Sequence, residues 1–343
     1  MGSFQLYQTG TKMKGEKWRT SVEEIPGIAA LQPMDTLFSM GSCFSDNLTV
    51  LLKERRMTIT GNPFGIIYNP VAIQTLFRRV ANAEYFSEKE LFEYKGLYRS
   101  LETHSDCSDI SVNGTLNILN TAIDTSRKVV SEASLVLLTF GTSLVYMHKE
   151  RGGIVANNHA LPANDFTQKQ LSIEEVRKSL ENIVSSIRAI NPHVTIVYTL
   201  SPVRHFRNGL MANARSKAVL LEAIHQVVDR NAKCNYFPAY EYLMDELRDY
   251  RFYTDDLIHP SNLAVRFVWE KFIGTVMAPD TLEFIKDMEQ LLAARNHRLL
   301  HPATAESRRF IESRLAAIDL MQQKYPFLHF DEEVQYFHSL SSS

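Results

Sequence analysis

The stretch Asp35-Thr-Leu-Phe-Ser-Met-Gly-Ser-Cys-Phe-Ser-Asp-Asn47 changes character in its middle. An apolar run, Leu37 to Met40, stops at Gly41, and two small side chains with nucleophilic atoms follow, Ser42 and Cys43. Asn47-Leu-Thr-Val-Leu-Leu-Lys-Glu-Arg55 then reads as a helix. A strand, a tight turn and a helix start suit a nucleophile. Glycine lets the backbone turn sharply, and free N–H groups at a helix start favour negative charge on a thiolate or an oxyanion. The plainer alternative is an ordinary turn in which Cys43 is a small buried residue.

Further along, the same alternation returns. Met57–Thr60 is a short β-branched strand leading to Gly61-Asn-Pro-Phe-Gly65, and Asn69-Pro70 caps a helix through Val80. Ala133 to Phe140 is a continuous apolar run ending at Gly141-Thr-Ser143, and Val194 to Leu200 ends at Ser201-Pro202. Runs apolar on both faces are typical of central parallel strands covered by helices. Between them, 115–131 and 213–230 read as helices, and Ser172-Ile-Glu-Glu175 is a capping box opening a helix to Ile190. Ile154–Ala156 and Cys234–Phe237 read as short strands, and 240–247 as a short helix. The pattern predicts a doubly wound parallel α/β sheet with sites at the carboxyl ends of its strands, so that 41–43, 141–143 and 201–202 share one edge.

With 343 residues, 45% hydrophobic and 22% charged, the chain can bury a substantial core. A net charge of −2 gives no basic excess for nucleic acid or anionic membrane, and no apolar run approaches the ~20 residues of a membrane helix. Three cysteines, Cys43, Cys107 and Cys234, lack disulfide or zinc spacing, which points to a reducing, cytoplasmic setting. No cofactor or metal is expected: His104, Asp106 and Asp109 read as a solvated loop within an aromatic and acidic excursion, 84–120. The expected organisation is a lead-in over 1–30, an α/β domain over 31–278 and a C-terminal helical extension over 279–343. That extension reads as two amphipathic helices broken at His301-Pro302, suited to an appendage or an oligomer surface, with a frayed 339–343.

A second informative stretch is Tyr253-Thr-Asp-Asp-Leu-Ile-His-Pro-Ser261. Asp256 and His259 are close enough in a turn for the carboxylate to hold one imidazole nitrogen while the other faces a nucleophile from the first strand. Other polar residues have two readings. Asn157-Asn158-His159 either contacts a sugar hydroxyl or solvates a loop tip. Arg204, in Ser201-Pro-Val-Arg-His205, either holds an anionic group or lies on the surface. Asn213, Ser216 and Lys217 line the cleft or solubilise a helix.

An early Gly41-Ser-Cys-Phe-Ser45 with a late Asp-x-x-His resembles the GSCFA family, which is similar to the SGNH or GDSL hydrolases, over roughly residues 30–275. The resemblance implies an SGNH-like, flavodoxin-like three-layer sandwich. It also implies a triad of Cys43 (or Ser42), Asp256 and His259, with Cys43 standing where the superfamily has its serine. A glycine block falls near Gly65 and a further block at Gly141-Thr142-Ser143, which lacks the superfamily's oxyanion asparagine. Thr142, Ser143, a backbone N–H or Asn62 would replace it. The implied activity is esterase or acyltransferase chemistry on a hydroxylated substrate, first of all an acylated glycan. The alternative is a catalytically silent fold that binds a glycan or a protein.

Overall fold

The structure is a computed structural model that describes residues 20–341 apart from 24, 26, 205, 300, 302 and 303. Most of the lead-in, together with His205 and Pro302, lies outside the described residues. In chain order the strands are β1 (Thr36–Gly41), β2 (Thr58–Gly61), β3 (Phe92–Tyr94), β4 (Leu97–Arg99), β5 (Ala133–Phe140), β6 (Leu144–His148), β7 (Phe166–Gln170), β8 (Thr195–Leu200) and β9 (Cys234–Phe237). The helices are α1 (Cys43–Glu54), α2 (Pro70–Asn82), α3 (Val112–Glu132), α4 (Ile173–Ile190), α5 (Leu210–Val228), α6 (Ala239–Glu241), α7 (Asn262–Val276), α8 (Pro279–Asn296), α9 (Ala305–Lys324) and α10 (Asp331–Ser341).

Five strands form a wholly parallel sheet in the order β2-β1-β5-β8-β9. Alternate side chains of each strand serve opposite faces. Phe38, Met40, Val136, Leu138, Phe140, Ile196 and Leu200 pack under α2 to α5. Leu37, Leu135, Leu137, Val197 and Phe237 pack under α1 and α7. The three layers follow from strands apolar on both faces. Strand order reverses between β1 and β5, the crevice where ligands of such sheets collect.

Several boundaries differ from those the sequence predicts. The first helix begins at Cys43 rather than Asn47, because the Ser42 hydroxyl caps it and Phe44 turns into the core. Residues 154–156 form no strand. Instead β6 pairs with β7 in an antiparallel hairpin, and Ile154 makes only an isolated bridge to Met147. The 84–120 excursion contains a β3/β4 hairpin and the start of α3.

The C-terminal helices number three, and residues 339–341 continue α10 rather than fray. Phe284, Met288, Ile311, Ile318, Phe330 and Phe337 share one buried cluster with Leu48 of α1 and Trp269 of α7. Their apolar stripes are therefore covered within the chain. Among the described residues no helix is long and apolar enough to cross a membrane.

Candidate active site

Gly41 ends β1 with φ +148°, and its N–H donates to Asn62 Oδ1 at 2.7 Å. The next N–H, of Ser42, donates to the Thr139 carbonyl of β5 at 3.0 Å. These two bonds aim the turn out of the sheet. Ser42 becomes the N-cap of α1: its hydroxyl accepts from Phe44 N at 3.3 Å and is almost completely buried. Cys43, the first helical residue, is only half-buried and faces the cleft side of the junction more openly.

The helix start does not by itself ionise the thiol. Burial pushes the Cys43 pKa up and Asp46 adds to this, while the N–H groups of Cys43 and Phe44 and the charge of Lys217 pull the other way. Desolvation outweighs the helix-terminus effect expected from sequence. Nucleophilic chemistry at Cys43 therefore needs a base or a cation.

Asn62 sits at φ +44° after β2 and is fully employed at both ends of its amide. Oδ1 accepts from Gly41, and Nδ2 donates to Asp46 at 2.5 Å. It fixes the turn and the first turn of α1. Gly65 has φ +73°, and a Cβ there would lie 2.3 Å from His104 Cβ, so glycine admits the His104 loop. Its N–H donates to Asn62 O at 2.8 Å. His104 Nδ1 and Asp106 Oδ2 are 3.1 Å apart, and both residues act electrostatically on Asp46.

The third block is equally occupied. The N–H groups of Gly141 and Thr142 both donate to Tyr68 O, at 2.8 and 3.2 Å. Thr142 Oγ1 and Ser143 N meet Ser216 Oγ at 3.0 and 2.8 Å, and Ser143 Oγ donates to Ser216 O at 2.9 Å. These groups staple α5 to the exit of β5. The backbone N–H of Cys43 is the donor at the junction that no other residue's carbonyl takes.

Asp256 and His259 are joined as the spacing predicts, with Oδ2 and Nδ1 2.6 Å apart. Asp256 Oδ1 also accepts from Thr254 Oγ1, Ile258 N and His259 N, at 2.7, 2.8 and 2.9 Å. The His259 ring bond and these further donors hold the carboxyl well below the usual carboxylate range. Both side chains are about half exposed, and the ring's Nε2 has no hydrogen-bond partner among the described residues. No hydrogen bond joins the ring to Cys43 or Ser42. The loop approaches the cleft through Tyr253, which together with Arg204 acts on Tyr240, beside Lys217.

Asn158 lines a cavity of about 190 Å3 with Tyr68, Thr142, Tyr146, Asn157 and Arg207. Tyr68 also feels the charges of Cys43 and Asp46, so this cavity adjoins the nucleophile turn. Arg204 lies apart from it, beside Tyr250 and Tyr253.

His159 is not available to a substrate. It is buried, its Nε2 meets Ser100 O at 2.7 Å and its Nδ1 meets Ser105 Oγ at 2.9 Å. Burial pushes its pKa down to about 4, against about 6.5 unfolded. The unfolded chain thus binds the extra proton between those values, and stability falls as pH drops through this window. Denaturant titration should lose about 2 kcal/mol from this group between neutral pH and pH ~5, and His159→Gln should remove that part of the slope.

Sequence reasoning passed over Tyr68 and left Lys217 undecided. The signal for Lys217 was present: with Leu220, Ile224 and Val227 it occupies the inward stripe of α5, and all four are buried.

A doubly wound parallel sheet carrying a thiol at the first strand-to-helix turn, with a late Asp–His pair, defines an α/β protein built for nucleophilic chemistry at its strand ends. The chain belongs to the GSCFA family, whose model matches residues 36–272. A second model, of a GSCFA domain protein C-terminal domain, matches residues 288–340. No curated protein matches the chain.

Solved structures similar to it include a carbohydrate esterase family 3 protein from Talaromyces cellulolyticus, at 10% identity, TM-score 0.35 and coverage of 74% of this chain and 99% of that one. An acetyl xylan esterase from the rumen bacterium Butyrivibrio proteoclasticus is 8% identical, with TM-score 0.37 and coverage of 74% and 66%. A family two carbohydrate esterase from Clostridium thermocellum in complex with cellohexaose is 11% identical, with TM-score 0.38 and coverage of 75% and 67%. Likenesses this distant bear on no residue and no activity.

Proposed function

We propose that this protein is an SGNH-like esterase or O-acyltransferase acting on an acylated hydroxyl compound, a glycan ester first of all, through a Cys43-His259-Asp256 site. The observation that carries the reading is the Asp256–His259 pair, bonded at 2.6 Å with Nε2 left without a partner. A carboxylate so placed fixes the tautomer that leaves Nε2 free to accept a proton.

The chemistry balances as follows. Nε2 takes the Cys43 proton when substrate brings ring and sulfur into contact, and Sγ attacks the acyl carbonyl. The leaving alkoxide receives that proton, leaving a thioester on Cys43. Water, or a sugar hydroxyl where the cleft excludes water, then gives its proton to Nε2 and releases the acyl group. The N–H of Cys43 is the oxyanion donor we favour, since the donors of Gly65, Gly141 and Thr142 have backbone acceptors. The cavity at Asn158, with two tyrosines and two amides, suits a sugar ring beside the acyl group. Three free cysteines support a reducing, cytoplasmic setting.

The choice of Cys43 over Ser42 rests on burial: the Ser42 hydroxyl is enclosed and committed to capping α1. Ser42→Ala should keep turnover of a p-nitrophenyl ester within about tenfold. Acid quench of the wild type should recover the acyl group on the Cys43 peptide as a hydroxylamine-labile adduct. An adduct on Ser42, or wild-type protein that binds glycan without turnover, would overturn the reading; the latter outcome would leave a binding domain.

A further inference from the structure

We propose that Lys217 is a positioning residue for Cys43, a buried cation at the carboxyl end of β8 whose charge favours the thiolate. Its use in acyl transfer rests on the function proposed above, but the charge pair does not.

Lys217 is 2% exposed, on the inward stripe of α5. Its Nζ donates to Ser201 O at 2.6 Å and lies 6.0 Å from the Tyr240 ring centroid. Among the described residues no carboxylate stands within ion-pair distance. An ammonium has three protons to place, and a buried one without an anion is costly. The neighbouring residue, Ser216, is bonded to Thr142 and Ser143, so the amine is held where β5 and β8 end.

The anion within reach is the sulfur. Cys43 is the group whose charge acts on Lys217, and Lys217 acts on Cys43 in return. The other ionisable groups facing the pair are Asp46 on α1, which opposes the thiolate, and the phenols of Tyr68 and Tyr240. Burial brings the Lys217 pKa down to about 7. Moving the thiol proton to this amine turns a neutral SH and NH2 pair into S⁻ and NH3⁺, so the buried pair gains no net charge.

Alkylation of Cys43 by iodoacetamide, followed on its own peptide across pH in the full chain, reads the thiolate without any ester. Lys217→Met should move the profile up by about one pH unit or more, and Lys217→Arg should hold it near the wild type. A Lys217→Met profile that coincides with the wild type overturns the proposal, and so does an equal shift in both variants, because packing would then set the profile.

A second measurement leaves α5 intact. With lysine labelled at Cε, the Lys217 titration followed by NMR should fall to lower pH in Cys43→Ser, where the thiolate is gone. An unchanged titration overturns the pairing. If the profiles move but no ester is ever turned over, the proposed function fails and the charge pair stands.

Discussion

His259→Gln should lower kcat on a short ester by about a thousandfold while the melting temperature stays within a few degrees of the wild type. Glutamine can occupy the ring's place against Asp256 but can neither accept nor return a proton. The loop should survive, since Asp256 Oδ1 still accepts from Thr254 Oγ1 and from the backbone N–H groups of Ile258 and residue 259. Both side chains are about half exposed, and exposed pairs of this kind contribute little to folding. Kinetics and a thermal melt on the same preparation separate the two effects. Because its partners keep the Asp256 carboxyl ionised well below the usual range, no limb of the rate profile near neutral pH should come from Asp256. Retained turnover in His259→Gln would place the base elsewhere, with the His104–Asp106 pair the next to test.

The parts of this molecule legible in the sequence are those written in local periodicity. Leu37–Met40 and Ala133–Phe140 read as buried strands because both faces are apolar, and they are neighbours in the sheet. Asp256 and His259 read as a pair because the interaction spans only three residues. Contacts between distant segments were not legible. Asn157-Asn-His159 looks like a wet loop tip until Ser100 and Ser105 close over the imidazole. Gly141-Thr-Ser143 looks like a donor block until Tyr68 and Ser216 take its groups. The strand-like triplet at 154–156 failed for the same reason, since β6 finds a better partner in β7. At Cys43 the residue types pointed the right way but the balance did not, because the desolvation that raises its pKa comes from packing the sequence does not display.

Gly41→Ala should cost about 4 kcal/mol or more, enough to leave a typical domain mostly unfolded. A Cβ at this position would stand 2.1 Å from Thr139 O and 2.8 Å from both Thr139 C and N. All three are backbone atoms, so no side chain can rotate away. Thr139 pairs with Gly41 on one side and Thr199 on the other, so retreat would pull β5 from β1 or from β8 at the centre of the sheet. Gly96→Ala is the control: its φ of +76° is also unfavourable to alanine, but nothing lies within 4 Å of the added carbon. That variant should lose only about 1–2 kcal/mol, read by the same urea titration. Equal losses would show that the β1–β5 contact yields easily. The larger loss would tie folding to chemistry, because the Thr139 carbonyl that excludes a side chain at Gly41 also accepts the Ser42 N–H and sets the direction in which Cys43 leaves the sheet.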